Sequence, residues 1–361
     1  MHMFEPWGKE MQVGVAVGTK EFVMAPAARS SFNQWVREHR GRGALEVTIL
    51  FVILQLGCIL YWAKDPTKFA YLSAANLSVM SQSIPWLGLL AIGAGVLMIA
   101  GEFDLSLAMN MGMCELVFIR WYGGGHSAWL CAALAIVVGI GIAAINALII
   151  NTFHISSFIA TLGMASFWWG MQNMYVGAGG SAPTPRIDDA KLSKQLKQVI
   201  SAELGLGIRA QMLWLAGVGL LVWTFMHRHK LGNHLFAVGG NENAAKAISI
   251  NPKRVKLLAF CILGALCGLA AVLQGVQART LIPGSGVGYE LEAIAGAVIG
   301  GCSLRGGKGS VFGMILGVAF VKTFQAIVLL SSLPSYYLKL FIGVMTVIFV
   351  IINQYFEGKA E

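Results

Sequence analysis

Long apolar stretches, separated by shorter polar segments, fill the chain from residue 45 to residue 354. A helix that crosses a hydrocarbon core about 30 Å thick needs roughly 20 apolar residues, and most of these stretches are about that long. The pattern predicts an all-α, polytopic integral membrane protein with about ten transmembrane helices, some of them short or broken. The predicted spans are residues 45–62, 76–100, 107–121, 129–150, 157–176, 210–227, 257–275, 289–302, 310–331 and 338–354.

The polar segments divide the chain. Residues 1–44 contain no hydrophobic core of a cleavable signal peptide and are predicted to form a cytoplasmic N-terminal arm. Residues 45–354 form the transmembrane domain, and residues 355–361 form a cytoplasmic tail. Within the transmembrane domain, residues 227–256 are basic and polar between two apolar blocks. We call this segment the island, and we expect it to be a cytoplasmic loop.

Composition and charge agree with this picture. The chain is 57% hydrophobic and 12% charged, with a mean hydropathy of +0.69 and a net charge of +9. The arm, the island, the turn at residues 305–308 and the tail carry fifteen Lys and Arg residues, whereas the opposite loops carry eight. Because positive residues concentrate on the cytoplasmic side, both termini and the island are predicted to be cytoplasmic. This placement explains the basic charge without nucleic acid, which we do not expect as a partner.

The six cysteines lie in or at the ends of apolar segments and show no CxxC spacing. We therefore expect small buried hydrophobic residues, without a disulfide or a metal site.

One segment breaks the apolar pattern inside the predicted membrane region. Residues 101–106 (GEFDLS) place Glu102 and Asp104 between two apolar runs. Residues 99–106 and 298–305 share a pattern of an apolar pair, Gly, two variable positions, a small or polar residue, Leu and a polar residue. Interrupted helices at corresponding places in two halves indicate a transport site near the membrane midplane. Two pseudo-repeated halves explain the match, and coincidence in a chain rich in Gly and Leu is the alternative.

Glycines recur at four-residue spacing in the C-terminal half. This spacing lines them along one helix face, where neighbouring helices can approach closely. We expect these glycines to pack the bundle: Gly264, Gly268, Gly296, Gly300, Gly309, Gly313 and Gly317.

Four motifs, in order, resemble the permease subunits of bacterial monosaccharide ATP-binding-cassette (ABC) importers, of which the ribose and xylose permeases are the nearest types. The resemblance covers most of residues 45–354. The motifs are residues 101–106 (GEFDLS), 157–163 (SFIATLG), 237–245 (AVGGNENAA) and 288–295 (GYELEAIA) followed by 299–309 (IGGCSLRGGKG).

The resemblance implies a division of labour among several proteins. Such permeases pair as homodimers or heterodimers in the bacterial inner membrane, where lipid surrounds them. They bind two cytoplasmic ATP-binding subunits and a periplasmic solute-binding protein. The only phosphate-loop-like stretch of this chain fails as a Walker A motif, because Cys302 stands where Gly is needed and Gly309 where Ser or Thr is needed. We therefore expect a transporter subunit that is not an enzyme, needs no cofactor and leaves ATP hydrolysis to a partner.

The island contains the candidate coupling element. Asn241 is a good N-cap residue, and Glu242 would lie near the positive end of a short helix over residues 243–248. Ala244, Ala245 and Ile248 would share one side of that helix. By resemblance, this is the coupling helix that fits a groove in the ATP-binding subunit; an ordinary solvated loop helix is the alternative. The basic flanks, residues 227–230 and 253–256, would hold the orientation. The candidate coupling residues are Gly239, Gly240, Asn241, Glu242, Asn243, Ala244 and Ala245.

Charges inside the membrane form the second candidate site, since each needs a partner, a cavity or an interface. Asp104 and Ser106 match the Asp-Leu-Ser motif of the family, whereas Glu102 replaces a glycine of ribose-type members and is closer to xylose-type ones. Asp104 either caps the following half-helix or contacts the pathway. Lys322 stands where many members have a small residue, and it could pair with Glu102 or Asp104 or face the pathway. Gln325 could hydrogen-bond a neutral sugar.

Five further charged residues lie near predicted span ends and are expected at the interface: Glu115, Arg120, Glu290, Glu292 and Lys339.

The substrate stays open at this point. Pentoses, other monosaccharides and sugar alcohols all fit, and permeases for nucleosides or branched-chain amino acids are close rivals within the superfamily. A proton-coupled secondary transporter would also have broken helices and intramembrane carboxylates, but it would not need the Gly-Gly-Asn-Glu cytoplasmic helix. No segment resembles the selectivity filter of a channel.

Overall fold

The structure is a computed structural model that describes residues 44–176, 187, 194–334 and 336–357. The predicted arm (1–44) and tail (355–361) lie almost wholly outside this part of the chain. The described residues form thirteen α-helices, and ten of these helices match the ten predicted spans. The helices are α1 (Ala44–Lys64), α2 (Ala74–Ile99), α3 (Leu107–Gly123), α4 (Ala128–Phe153), α5 (Ser157–Val176), α6 (Lys194–Ile200), α7 (Gln211–Arg228), α8 (Lys230–Gly240), α9 (Glu242–Ala247), α10 (Pro252–Ala278), α11 (Tyr289–Ile299), α12 (Val311–Leu330) and α13 (Tyr336–Glu357).

Each predicted span corresponds to one helix, namely α1 to α5, α7 and α10 to α13. Five helices are long and apolar enough to cross a membrane: α1, α2, α4, α10 and α12. The chain is therefore a multi-pass membrane protein, while the count of ten crossings stays a prediction. The all-α fold class is confirmed, and a short antiparallel hairpin, formed by Glu203–Gly205 and Ile208–Arg209, lies between α6 and α7.

Helix α2 lies at the centre of the bundle and contacts α7, α10, α11 and α12. Its second half is buried on all sides, from Ile84 to Ile99. A helix that is apolar all round is suited to this position, since it meets other helices in every direction. By contrast, α1 exposes large apolar side chains such as Ile53 and Leu60, which suits contact with lipid.

The two predicted interruptions have the same backbone geometry. Helix α2 ends where the N–H of Glu102 donates to Leu97 O and the N–H of Gly101 donates to Met98 O. Helix α11 ends identically, with Cys302 N donating to Ala297 O and Gly301 N donating to Val298 O. This pair of bonds is the Schellman motif, which places its glycine at positive φ: 83° at Gly101 and 86° at Gly301. The two interruptions therefore share one helix ending, which pairs Gly101 with Gly301; the sequence pattern paired Gly101 with Gly300 and is one residue out of register.

Several glycines of the four-residue pattern lie at close helix contacts, as predicted. A Cβ atom on Gly264 of α10 would overlap with the backbone of Gly139 in α4. A Cβ atom on Gly317 of α12 would overlap with the carbonyl oxygen of Gly296 in α11. Close backbone approach gains dispersion contacts that lipid cannot replace, so these contacts hold the two helix pairs together.

Helix α10 sets the distance between the two ends of the bundle. Asn251 caps its N-terminus by accepting the N–H of Arg254, and Pro252 occupies the first turn, where its missing N–H leaves no bond unmade. Its 27 residues rise about 1.5 Å each, which gives a length of about 40 Å. The segment that contains α9 precedes α10, and the loop at residues 279–288 follows it at the opposite end.

Candidate functional site

The two helix interruptions meet at the C-terminal end of α8. The N–H of Gly307, in the second interruption, donates to Ile99 O at the end of α2, at 2.9 Å. Gly239 lies between them, since a Cβ atom there would overlap with Ile99 O and lie 2.8 Å from Gly307 N. Gly240 is less crowded, with Gly307 Cα 4.0 Å away as its nearest contact. We call this meeting point the junction. The junction explains why residue 239 is a glycine, because packing within the chain leaves no room for a Cβ atom there.

Polar groups hold the first interruption in place. The carboxylate of Asp104 accepts the N–H of Ser106 at 2.7 Å and the hydroxyl of Ser106 at 2.6 Å. Asn146 of α4 donates both to Asp104 Oδ2 at 3.2 Å and to Ser106 Oγ at 2.7 Å. All three residues are buried. The carboxylate of Asp104 thus holds Ser106, which is the N-cap residue just before the first turn of α3. The capping and pathway alternatives for Asp104 stay predictions.

Helix α5 satisfies the remaining backbone donors of this interruption. Phe103 N donates to Ser157 Oγ at 3.1 Å, and Leu105 N donates to Thr161 Oγ1 at 3.0 Å. Buried backbone donors need such partners, since an unmade bond costs about 1–3 kcal/mol. Ser157 and Thr161 belong to the second motif of the resemblance, so two of the motifs contact each other.

Glu102 belongs to a different network from Asp104. Its carboxylate pairs with Lys256 Nζ at 2.6 Å, and the same ammonium pairs with Glu242 Oε2 at 2.9 Å. The Lys256 and Glu102 side chains are 18% and 10% exposed, so this bridge is largely shielded from water. Lys256 thereby links the first interruption to the start of α9.

Sequence reasoning assigned Lys256 only to membrane orientation and missed this bridge. The signal was available, because Lys256 is the last charge of α10 before a long apolar run, and a charge in that position needs a partner.

Helix α9 has the predicted length of six residues but begins one residue earlier, at Glu242, and Asn241 caps it as expected. Asn241 Oδ1 accepts the N–H of Ala244 at 3.0 Å, which is an N-cap bond. Glu242 follows in the first turn and also pairs with Lys246 at 2.7 Å. Bonds from Lys246 and Lys256 lower the pKa of the Glu242 carboxyl to about 2.

The predicted common side of this helix is wrong. Ala245 is buried within the chain, whereas Ala244 and Ile248 are exposed, with Ile248 at 69%. The exposed residues of α9 are Asn243, Ala244, Lys246 and Ala247, and the exposed Ile248 follows the helix directly.

Lys322 lies away from the junction, and its expected pairing with Glu102 or Asp104 is wrong. Its Nζ contacts Glu292 Oε2 at 3.1 Å and Gln325 Oε1 at 2.9 Å, and it lies 5.2 Å from the centre of the Trp86 ring. The distance along α12 explains the difference, since Lys322 is in the fourth turn while the junction meets the segment before the first turn. Lys322 and Gln325 thus form one buried polar cluster with Glu292.

The expected interfacial positions of Glu115 and Glu292 are also wrong. Glu292 pairs with Lys322 inside the bundle. Glu115 is 3% exposed and lines a small cavity between α3, α5, α10 and α11. Four other polar side chains line this cavity, which we call the outer cavity: Gln172, Gln274, Ser285 and Tyr289. The Tyr289 ring lies 4.7 Å from that of Trp86, so the outer cavity and the Lys322 cluster are neighbours.

The candidate site therefore consists of two separate parts. The junction brings together Glu102, Asp104, Ser106 and the island residues, and the bundle interior brings together Lys322 and Gln325. In the part of the chain that the structure describes, no group of three His, Cys, Asp or Glu side chains could hold a metal ion. The arrangement offers hydrogen bonds and ion pairs that can change partners when helices move.

The comparisons with known proteins agree with this architecture. The autoinducer 2 import system permease protein of Salmonella typhimurium is 28% identical over 267 residues, which cover 74% of each chain. The ribose import permease protein of Escherichia coli is 28% identical over 280 residues, which cover 77% of this chain and 85% of that protein. No solved structure matches the chain.

The family described as the branched-chain amino acid transport system / permease component matches residues 76–350. This range begins in the first turn of α2 and ends within α13, so it contains the junction, the Lys322 cluster and the outer cavity. The chain belongs to this permease family.

Proposed function

We propose that the chain is the transmembrane subunit of an ABC importer, through which a monosaccharide or related polyol crosses the inner membrane. The observation that carries this proposal is the similarity to a ribose import permease over 77% of the chain. A periplasmic binding protein delivers the sugar, two ATP-binding subunits supply the energy, and a second permease subunit completes the pathway.

Helix α9 is the surface that an ATP-binding subunit contacts. It is six residues long and presents residues 243, 244, 246 and 247 to the outside, with the exposed Ile248 directly after it. Small side chains and one exposed apolar side chain suit insertion into a groove of another protein. Ala245 anchors the helix from the inner side, and Gly239 holds the preceding helix against the junction.

The bridge through Lys256 carries motion from α9 to the membrane helices. A displacement of α9 moves Glu242, and the ammonium of Lys256 then moves relative to Glu102 at the interruption between α2 and α3. Glu102, Asp104 and Ser106 control the cytoplasmic end of the pathway, while Lys322 and Gln325 contribute to its interior. Both termini and α9 lie in the cytoplasm, as the Lys and Arg distribution indicates.

Reconstitution of the complete importer in proteoliposomes tests the proposal. Uptake of the sugar that the binding protein retains should require ATP, the ATP-binding subunits and the binding protein. A variant that lacks residues 241–247 should insert into the membrane and lose uptake. Uptake driven by a proton gradient alone, or unchanged uptake by the deletion variant, would contradict the proposal.

The family description favours a second candidate substrate, a branched-chain amino acid. The two candidates differ in what the binding protein retains: a neutral polyhydroxyl molecule or a zwitterion with an aliphatic side chain. Calorimetric titration of the cognate binding protein with D-ribose, D-xylose, L-leucine and L-valine decides between them. We expect heat from a sugar and none from the amino acids.

A further inference from the structure

The outer cavity lies at the end of the bundle opposite to α9. Gln274 is in the last turn and a half of α10, about 30 Å along the helix from its first turn at 1.5 Å per residue. Ser285 lines the outer cavity and is exposed on the loop that follows α10. The mouth of the outer cavity is therefore on the face that a substrate from a periplasmic binding protein would reach first.

Two acceptors in the outer cavity lack donors. Gln274 Oε1 is buried and has no hydrogen-bond partner. In the described part of the chain, no hydrogen bond or ion pair reaches the Glu115 carboxylate, although the residue is 3% exposed. A buried acceptor without a donor is unfavourable, and more so in a membrane interior where few waters can compensate. These two groups therefore favour a ligand that supplies donors.

Two neighbouring polar groups are already bonded elsewhere. The amide of Gln172 donates to Met109 O at 3.0 Å and is held on α3. Lys322 is already bonded to Glu292 and Gln325 outside the outer cavity. The outer cavity has a volume of about 10 Å³, which is room for about one water molecule or one hydroxyl group.

We propose that the outer cavity is the first hydroxyl-binding subsite for the transported sugar, with Glu115 and Gln274 as the accepting groups. The proposal rests on the proposed function and adds to it the contact that selects a neutral polyhydroxyl substrate. A sugar hydroxyl donates one hydrogen bond and accepts another, so it satisfies these acceptors without bringing a charge into the membrane. The Tyr289 and Trp86 rings, tilted at 47° to each other, lie beside the outer cavity and offer apolar contact to the ring of the sugar.

Uptake by the reconstituted importer tests this subsite with Glu115→Gln and Gln274→Leu. Both substitutions keep the approximate side-chain volume but weaken or remove an acceptor. Loss of one hydrogen bond to a charged or buried group should lower uptake of radiolabelled D-ribose or D-xylose about tenfold. ATP hydrolysis stimulated by the binding protein should stay within about twofold, since neither residue lies at the junction. Glu290→Gln is the matched control. Glu290 lies beside Tyr289 in the first turn of α11, accepts the N–H of Gly288 and does not line the outer cavity.

Sugar uptake by Glu115→Gln and Gln274→Leu that equals the parent's would overturn the subsite, and the outer cavity would then hold water only. A parent importer that hydrolyses ATP but takes up no monosaccharide would overturn the proposed function and the subsite with it. A third variant, Ser285→Cys, keeps the test decisive if the buried substitutions prevent folding, since Ser285 is exposed. We expect a membrane-impermeant thiol reagent added outside to block uptake by Ser285→Cys and not by the parent. Unchanged uptake after complete labelling would contradict the subsite.

Discussion

At the residue scale, Lys256 connects the helix interruption at Glu102 to the start of α9, and the proposed mechanism depends on both. It is the only described cation that contacts both Glu102 and Glu242. Its own helix, α10, continues through the bundle to the outer cavity, so a shift at Lys256 reaches both ends of the molecule. We therefore expect this side chain to matter for coupling more than its neighbours in the island.

Lys256→Met should separate ATP hydrolysis from transport. The substitution leaves the Glu102 carboxylate shielded from water without its cation, which costs roughly 1–3 kcal/mol and releases the interruption from α9. We expect sugar uptake per ATP hydrolysed by the reconstituted importer to fall about tenfold or more. Lys246→Met is the control, because Lys246 is 54% exposed and contacts only Glu242. Equal coupling ratios in the two variants would show that the bridge carries no motion.

Glu242 gives a second prediction at this scale, through pH. Its pKa in the folded protein is about 2, below the ordinary value of 4.5. A depressed carboxyl pKa stabilises the folded state fully above the ordinary pKa, and the contribution is lost as pH falls towards the folded value. The melting temperature of the parent should therefore exceed that of Glu242→Gln at pH 7, and the gap should narrow between pH 4.5 and pH 2. Thermal unfolding in detergent measures it, and a gap that widens on acidification would contradict the assignment.

At the element scale, the junction depends on close contact between three backbones. Residues 239 and 240 look equivalent in sequence, but only the first is enclosed by Ile99 and Gly307. If both glycines acted mainly by contacting an ATP-binding subunit, substitution at either would have similar effects. If the glycines act mainly through packing at the junction, substitution at residue 239 should have a larger effect than substitution at residue 240.

Gly239→Ala should destabilise the protein, whereas Gly240→Ala should not. The added methyl group at residue 239 would overlap with Ile99 O, and overpacking of this kind typically costs about 1–3 kcal/mol. At residue 240 the nearest atom is 4.0 Å away, which is ordinary contact, and alanine also favours the helix end slightly. Melting temperatures of the two purified variants compare them directly. Equal losses would indicate that the junction tolerates displacement of its backbones.

The ten predicted spans could be found because each has a long apolar run bounded by polar residues or glycine. The two helix endings were predictable in place but not in register, since the repeated pattern pairs Gly101 with Gly300, whereas the structure pairs Gly101 with Gly301. The hairpin at residues 203–209 and helices α6 and α8 were missed, because short polar segments carry no strong period. Glu115 was misplaced for a different reason. A carboxylate near the end of an apolar run is usually interfacial, and only the contacts of α3 with α5, α10 and α11 show that it is enclosed.

The pairing of Lys322 shows where sequence reasoning ends. Its charge required a partner, for which Glu102 and Asp104 were the candidates, whereas Glu292 was expected at the interface. Which of them it contacts depends on the rotation and depth of α12 against α11, and helix packing angles follow from side-chain fit over the whole interface. No short stretch of the sequence specifies that rotation and depth. The same holds for Ala245, whose inward direction depends on how α9 lies against α8 and α10.

At the scale of the whole molecule, function follows from the separation of two polar regions by the length of α10. The junction and α9 form one end, and the outer cavity forms the other, with the Lys322 cluster between them. An importer needs this order, because the energy source and the incoming substrate approach from opposite sides of the membrane. Because α9 and the outer cavity lie at opposite ends, the proposed function requires α9 to face the cytoplasm and the outer cavity to face the periplasm.

Cysteine labelling in intact cells tests that orientation. Leu206, in the hairpin, is 80% exposed and is predicted to face the periplasm, whereas Ile248, beside α9, is 69% exposed and is predicted to face the cytoplasm. A membrane-impermeant maleimide should label Leu206→Cys in intact cells and should label Ile248→Cys only after the inner membrane is opened. The parent provides the background, since five of its six cysteines are buried and Cys261 is half-buried. The reverse labelling pattern would place α9 on the outside, where no ATP-binding subunit could reach it, and the importer mechanism would then be wrong for this chain.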